Sequence, residues 1–599
     1  MNPGTAGAPA PAPGTARDAP PVAADDEVPW RPSRLRMTRR NTDTVRPSRG
    51  RVALPALASG VGLALSLPPW GFWILAFPSA GLLWWRLGGL RPRTRLWAGW
   101  LAGLGCFVPG LAFARSFTLA GAVVLIAIEA LFVGVACLVV PRGPVVARAL
   151  VFPAALTLAE AARQTWPFGG LPIGGVYLGQ ADGPALGVAR IGGPLGLTLA
   201  VYVGGVAVGA VGTGAVRGWR DRSRRIEFER VLAGSGERAD TPAEAVRHPW
   251  WRSPTTTLLA TGSVALVLLV ATSVAAAHAP DGGPSVGTVT AAAVQGGGAR
   301  GFSKSQIDPS VVLAAAMAAT EPLTHRAPGS GPELVVWPED VVSLDGPLDG
   351  SAEEVTLSRL AVSLDATLVV GVTETVSATA FRNEVVAFAP DGTVVSRYEK
   401  VHRVPFGEYV PWRSFFAHLG NLSAVPRDAV PGTGSGVLTT PVGPIGAMIS
   451  YEVFYADRGR APVRAGAQLL IVPTNTSSYA TAQVPTQEIA ASEVQATQQG
   501  RDLLQAAPTG YSAWISNRGT LLARSVLGAR QVVRAVLHRR TGWTVYVRYG
   551  DTPVLAGSAL AFVIGWWLVV RSDRKRHRAL HRRRGGRGGA GPSARVPST

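Results

Sequence analysis

Three short stretches in the second half of this 599-residue chain carry residues able to move an acyl group. Glu339 ends the string Val335-Val336-Trp337-Pro338-Glu339, directly after a buried-strand pattern, where α/β domains tend to place active-site residues. Lys400 leads into Val404-Pro405-Phe406-Gly407-Glu408-Tyr409-Val410-Pro411. Ser450 closes the apolar run Ile445 to Ile449 and is followed by Tyr451 and Glu452. A carboxylate base, an amine and a hydroxyl nucleophile at three strand ends form an acyl-transfer constellation. A lone lysine is ordinarily a surface charge. Here Lys304, Lys400 and Lys575 are the only lysines among 58 basic residues, so a chain that otherwise uses arginine keeps an amine at 400. Lysine offers a point-charge donor and can lose its proton; arginine stays charged and planar.

These residues need a sheet to hold them. Strand patterns fall at 285–295, 333–337, 367–372, 384–389, 394–398, 445–450, 468–473 and 511–516, with helical patterns at 307–321, 353–363, 456–465 and 484–500. Pro390-Asp391-Gly392 reads as a hairpin turn. Strands alternating with helices, with hairpins among them, predict an α/β fold on a mixed sheet. About 250 residues are enough for one core.

Outside this region the chain is written for lipid. It is 47% hydrophobic and 16% charged, against roughly a quarter charged in soluble domains. A helix needs about 20 apolar residues to cross the hydrocarbon. Spans are expected at 53–69, 71–87, 96–114, 118–140, 147–164, 190–213, 256–278 and 553–570, eight in all. The net charge of +20 is clustered at 31–51, 217–252 and 571–587, beside apolar segments. Anchoring against anionic headgroups explains this more simply than nucleic-acid binding, which is not expected. Arginines follow every even-numbered span, which places those exits in the cytoplasm and 279–552 on the opposite side. Cys106 and Cys137 lie in apolar runs and suggest neither a disulfide framework nor a metal site. No cofactor is expected. The predicted division is a disordered extension (1–50), a seven-span membrane domain (51–280), the α/β domain (281–550), a C-terminal membrane helix (551–572) and a basic cytoplasmic tail (573–599).

Taken together, Trp337-Pro338-Glu339, Tyr398-Glu399-Lys400, the Pro405-to-Pro411 string and Tyr451-Glu452 resemble the nitrilase superfamily and, within it, the apolipoprotein N-acyltransferases. Glu160, Arg163 and Pro167-Phe168-Gly169 look like a matching segment in the membrane half. The resemblance covers roughly residues 50–572. It implies an eight-span bundle carrying an extracytoplasmic nitrilase-like αββα sandwich, in a bacterial cytoplasmic membrane and as a monomer. The implied reaction moves an acyl chain from a phospholipid onto an enzyme nucleophile, then to the N-terminal amine of a diacylglyceryl-modified lipoprotein. By this resemblance Glu339 is the general base and Lys400 the oxyanion donor. Glu408 orients both, Glu452 supports the nucleophile turn, and Tyr451 lines the acyl or headgroup site.

Two departures matter. The family nucleophile is a cysteine where this chain has Ser450, and no cysteine occurs between 282 and 550. A serine hydroxyl is far less acidic than a thiol, and serine enzymes normally use a histidine base. Neither His402 nor His418 has a sequence reason to lie beside Ser450. The family's Asn-Asp-Ala-Trp after a strand is replaced by Thr474-Asn475-Thr476-Ser477-Ser478-Tyr479. Three readings stay open: an N-acyltransferase working through Ser450, a catalytically impaired paralogue that binds lipid or lipoprotein as an accessory protein, or a nitrilase-type amidase or acyltransferase with another acceptor.

Overall fold

The computed structural model describes residues 49–116, 119–234, 253–299, 308–325, 329–418, 422–423, 425–479 and 481–585. The expected N-terminal extension up to residue 48 and the tail beyond residue 585 lie outside them. The first half is helical: α1 (Arg49–Ser66), α2 (Ala76–Leu87), α3 (Pro92–Gly110), α4 (Leu119–Leu138), α5 (Val145–Arg163), α6 (Ala189–Gly234) and α7 (Pro254–Ala277). Each lies on an apolar run read as a span. Four of these regions are long and apolar enough to cross a membrane: α4, α5, the stretch Leu186–Arg224 containing the start of α6, and α7. A fifth is C-terminal, Thr552–Arg578. By contrast α2 has only 12 residues, and α3 opens with Arg93 and Arg95. Both still pack into the bundle, α2 on α6 and α3 on α1. The α1–α3 crossing is close because it is lined by glycine. A Cβ on Gly60 would sit 2.0 Å from the Ala102 carbonyl, and one on Gly105 2.5 Å from that of Leu57. Small residues let apolar helices approach in this way. The basic cluster from Arg217 to Arg230 continues α6 instead of opening a loop.

Beyond α7 the chain forms β1 (Gly287–Gln295), α8 (Pro309–Thr320), β2 (Leu334–Val336), β3 (Val342–Leu344), α9 (Ala352–Leu364), β4 (Thr367–Ser377), β5 (Ala380–Phe388) and β6 (Val394–Glu399). It continues with α10 (Arg413–Ala417), β7 (Asp428–Ala429), β8 (Val437–Thr440), β9 (Gly443–Ala447), α11 (Ala456–Arg464), β10 (Leu469–Pro473) and α12 (Gln483–Gln499). The last elements are β11 (Leu503–Ala506), β12 (Ala513–Ile515), β13 (Leu521–Arg524), β14 (Gln531–Arg539), α13 (Val545–Tyr549) and α14 (Thr552–Gly585). Pro390-Asp391-Gly392 turns β5 into β6 as expected, with Gly392 at φ 85°. Helix α14 runs past residue 572 into the basic tail.

One sheet runs β14-β1-β2-β4-β5-β6, with β3 on β4 and β7 on β5; the other runs β13-β12-β11-β10-β9-β8. Both are mixed, parallel through β1-β2-β4 and β9-β10-β11. Val289, Leu334 and Val369 of the first sheet share one core with Ile445, Leu469 and Leu504 of the second. The far face of the first sheet is covered by α8 and α9 around Trp337 and Phe388. The far face of the second packs on α12 through Leu470, Ile489 and Val494, and this core continues into Leu111, Ile173 and Leu197 of the membrane half. Helix α12 is therefore buried on all sides, between sheet and bundle. Its glutamines serve that position. Gln487 accepts from Gly174 N at 3.0 Å and donates to Gly110 O at 3.0 Å, joining the two halves.

Candidate active site

Strand β2 delivers Glu339. Trp337 N donates to Val369 O at 2.8 Å, and the Trp337 indole donates to Thr320 at 3.0 Å, so the tryptophan is locked on the α8 side. Pro338 to Asp340 then cross β4 at Gly371. A Cβ there would come within 2.3 Å of Pro338 O and 2.6 Å of Glu339 Cα, so only glycine lets this backbone lie so close. Lys400 follows β6, with its amide donating to Asn383 O at 2.9 Å. Its ammonium donates to Glu339 Oε1 at 2.7 Å and to Glu408 Oε1 at 2.7 Å. All three side chains are buried, Lys400 to 1% exposure. Burial alone would lower the Lys400 ammonium, but the carboxylates of Glu339 and Glu408 outweigh it and hold the group above its ordinary value. Glu408 is itself fixed by Val404 N at 2.8 Å.

A fourth member was not singled out from the sequence. Asn383, buried on β5, donates from Nδ2 to Glu339 Oε1 at 2.9 Å and to Glu408 Oε1 at 3.2 Å. It bridges the same two carboxylate oxygens that accept from the lysine. The only available signal was a polar residue inside an apolar strand, and the expected strand began one residue later, at 384.

Ser450 sits at a sharp turn just past β9. Ile449 is extended, Ser450 has φ 50°, and a short 3-10 helix, Ser450–Phe454, follows. A non-glycine residue in this left-handed region costs of order 1–3 kcal/mol and persists only when its surroundings impose it. Glu452 imposes it. Its carboxylate accepts from Ile449 N at 2.8 Å, Val401 N at 2.8 Å, His402 N at 3.0 Å and the Tyr398 hydroxyl at 2.9 Å. Glu452 thus pins the serine turn to the segment that follows Lys400, a wider hold than support of the turn alone. His402 does not serve Ser450. Its ring stacks on Tyr455 at 4.0 Å and lies 3.7 Å from Asp457. His418 bonds to Ser414 O at 2.6 Å. Tyr451 is buried, and its hydroxyl donates to Gly170 O of the membrane half at 3.1 Å.

The 474–479 loop bonds to a further buried acid, which helix α12 supplies. Thr474 donates to Glu488 of α12, and Asn475 donates to Asp340 at 3.4 Å. Burial pushes the Glu488 carboxyl up to about 8; the Thr474 bond and Lys400 oppose the rise and the charge of Glu339 adds to it. Glu488 therefore stays protonated near neutrality. The folded state holds this proton more tightly than the unfolded chain does. Its stabilising contribution is complete below the unfolded value near 4.5 and is lost as pH rises through about 8. Glu488→Gln keeps the shape and removes the titration. Thermal unfolding in detergent between pH 5 and pH 8.5 should fall less steeply with pH in this variant than in the parent; an unchanged slope would show that Glu488 is not the group responsible.

Both halves of the chain match known protein families. Residues 59–207 match the apolipoprotein N-acyltransferase N-terminal domain, and residues 290–541 match the carbon-nitrogen hydrolase domain. The apolipoprotein N-acyltransferase of Mycolicibacterium smegmatis is 30% identical over 555 residues, which cover 88% of this chain and 87% of that relative. The chain belongs to the apolipoprotein N-acyltransferase family. The apolipoprotein N-acyltransferase of Azotobacter vinelandii is 28% identical over 545 residues, covering 86% of this chain and 95% of that one. Among solved structures, a nitrilase superfamily member, Nit3 of Saccharomyces cerevisiae, aligns at 20% identity over 42% of this chain and 91% of its own, with a TM-score of 0.33. As an apolipoprotein N-acyltransferase the chain is classed as an acyltransferase, and its second half is a carbon-nitrogen hydrolase domain.

Proposed function

We propose that the chain transfers an acyl group from a membrane phospholipid, through an ester on Ser450, to the N-terminal amine of a diacylglyceryl-modified lipoprotein. The observation that carries this is the buried Glu339–Lys400–Glu408 triplet, since a binding surface has no need of an ammonium held between two carboxylates inside a core. Glu339 takes the Ser450 proton as Oγ attacks the phospholipid ester carbonyl. Lys400 donates to the oxyanion. Collapse expels the lysophospholipid oxygen, which recovers the proton from Glu339. The lipoprotein amine then attacks the Ser450 ester, Glu339 accepts its proton, and Oγ leaves with that proton as the amide forms. Glu408 and Asn383 hold Lys400 and Glu339 in register, Glu452 holds the turn, and Tyr451 borders the lipid entry.

The same proposal places the domain as an αββα sandwich on eight crossings, exposed on the extracytoplasmic side of a bacterial cytoplasmic membrane, acting as a monomer. Its support is the helix at every expected span and the alternation of arginine-rich exits. One observation favours the accessory reading instead: among the described residues, no histidine ring bonds to Ser450. Mass spectrometry of a lipoprotein N-terminus, in a strain whose sole N-acyltransferase homologue is this chain, decides between them. Triacylated N-termini are expected; diacylated N-termini alone would leave only the accessory role.

A further inference from the structure

At the cytoplasm-distant end of α5 lies a cation that the chemistry above does not use. Arg163 is 1% exposed and bonds to two acids on different helices. Its Nε and Nη2 donate to Glu160 at 3.0 and 2.8 Å, and Nη1 donates to Glu129 of α4 at 3.2 Å. Ionisable groups are costly within an apolar bundle, so one kept there is presumed to have a task. The further bonds of the same two nitrogens show where that task lies. Nη2 donates to Pro172 O at 3.2 Å, and Nη1 shares its two hydrogens between Glu129, Leu171 O and Ile173 O (3.1 Å), gathering three successive carbonyls of the segment that follows α5.

That segment touches the nucleophile turn. Gly170 O, one residue before the gathered carbonyls, accepts the Tyr451 hydroxyl at 3.1 Å and the Tyr455 hydroxyl at 2.9 Å. Phe168 O accepts the Tyr409 hydroxyl at 3.1 Å, next to Glu408. Tyr451 and Tyr455 stand edge to face at 5.1 Å, at the start and just past the end of the 3-10 helix that begins with Ser450. A continuous path of short bonds thus runs from Glu129 and Glu160 through Arg163 and the 170–173 backbone to the two tyrosines. Glu452 fixes the turn from the side of the soluble domain; this path fixes it from the side of the membrane.

We infer that Arg163 is a positioning residue for the nucleophile. Held by Glu129 and Glu160, it sets the carbonyl segment against which Tyr451 and Tyr455 align the Ser450 turn, so the helical bundle itself completes the active site. The inference deepens the proposed function, because it takes position 450 as the place where the reacting group stands.

Its test needs no turnover. In a full-length Ser450→Cys background, the introduced thiol is alkylated with iodoacetamide and followed by intact mass across pH; buried Cys106 and Cys137 should stay unlabelled in the parent chain. Arg163→Met and the gentler pair Tyr451→Phe/Tyr455→Phe are expected to lower the rate by roughly tenfold to a hundredfold, because a misplacement of about 1 Å at a reacting atom costs up to the larger figure. The midpoint of the pH profile should move toward that of a free thiol, about 8.5. A merely structural role for Arg163 would lower the yield of folded protein without moving this midpoint. Rates and midpoints matching the Ser450→Cys parent in the tyrosine pair would overturn the inference, including where Arg163→Met fails to fold. If these shifts occur but no lipoprotein is acylated by the unsubstituted chain, positioning stands and the proposed function falls.

Discussion

Ser450→Ala should abolish the acyl-enzyme and stop lipoprotein N-acylation, whereas Ser450→Cys should speed both half-reactions. Removing a nucleophile that acts as part of a unit costs up to roughly 10⁶-fold in kcat in well-studied hydrolases. Some rate over water, roughly 10³-fold, should remain from binding and oxyanion stabilisation alone. The direction of Ser450→Cys follows from acidity. A thiol ionises near pH 8.5, within reach of a carboxylate base, while a hydroxyl must be deprotonated as it attacks. Its thioester is also the better acyl donor to an amine. Intact mass of the purified variants with phospholipid reads the first half-reaction, and the lipoprotein N-terminus reads the second. Triacylation persisting in Ser450→Ala would remove Ser450 from the mechanism.

Lys400→Met should cost activity and stability together, and a second substitution should separate the two. The lysine is a cation held between two buried carboxylates. Without it the cluster goes from one net negative charge to two, and breaking a buried ion pair from one side costs about 3–5 kcal/mol. Loss of a single oxyanion donor lowers kcat by roughly 10²–10³-fold. Lys400→Met/Glu408→Gln returns the cluster to one net charge. The double variant should regain much of the thermal stability and none of the acyl transfer. Recovery of both would show that Lys400 acts only by balancing charge.

Much of this architecture was legible because its signals are local. A helix lies on each apolar run read as a span, and Glu339, Lys400 and Ser450 all stand just past strand ends, as their flanking patterns indicated. What stayed hidden depends on distant partners. Asn383 is an ordinary strand residue until β6 returns to place Lys400 beside it. Strand β14 alternates Val533, Ala535 and Leu537 inward with Arg534, Val536 and His538 outward, and its arginines obscured a period of two. Helix α12 reads as polar because both of its faces are buried against groups that need glutamine. Glu452 was recognised as a support, but its bonds to Val401 and His402 join segments some fifty positions apart, and no local pattern announces them.

The pairing of β1 with β14 has a consequence of another kind. These strands run antiparallel from Gly287 opposite Arg539 to Gln295 opposite Gln531, so the first and last strands of the catalytic domain are zipped together. The chain leaves the bundle after α7 and re-enters it at α14 through a single doorway. The domain is in effect a cassette spliced into one loop of a membrane protein, with both ends sewn at the same seam. Cutting one of its surface loops would leave two pieces, the first retaining α1 to α7 and the second α14, each holding one strand of that seam. Such a nicked protein should stay assembled, because the cassette's closure does not depend on an unbroken chain.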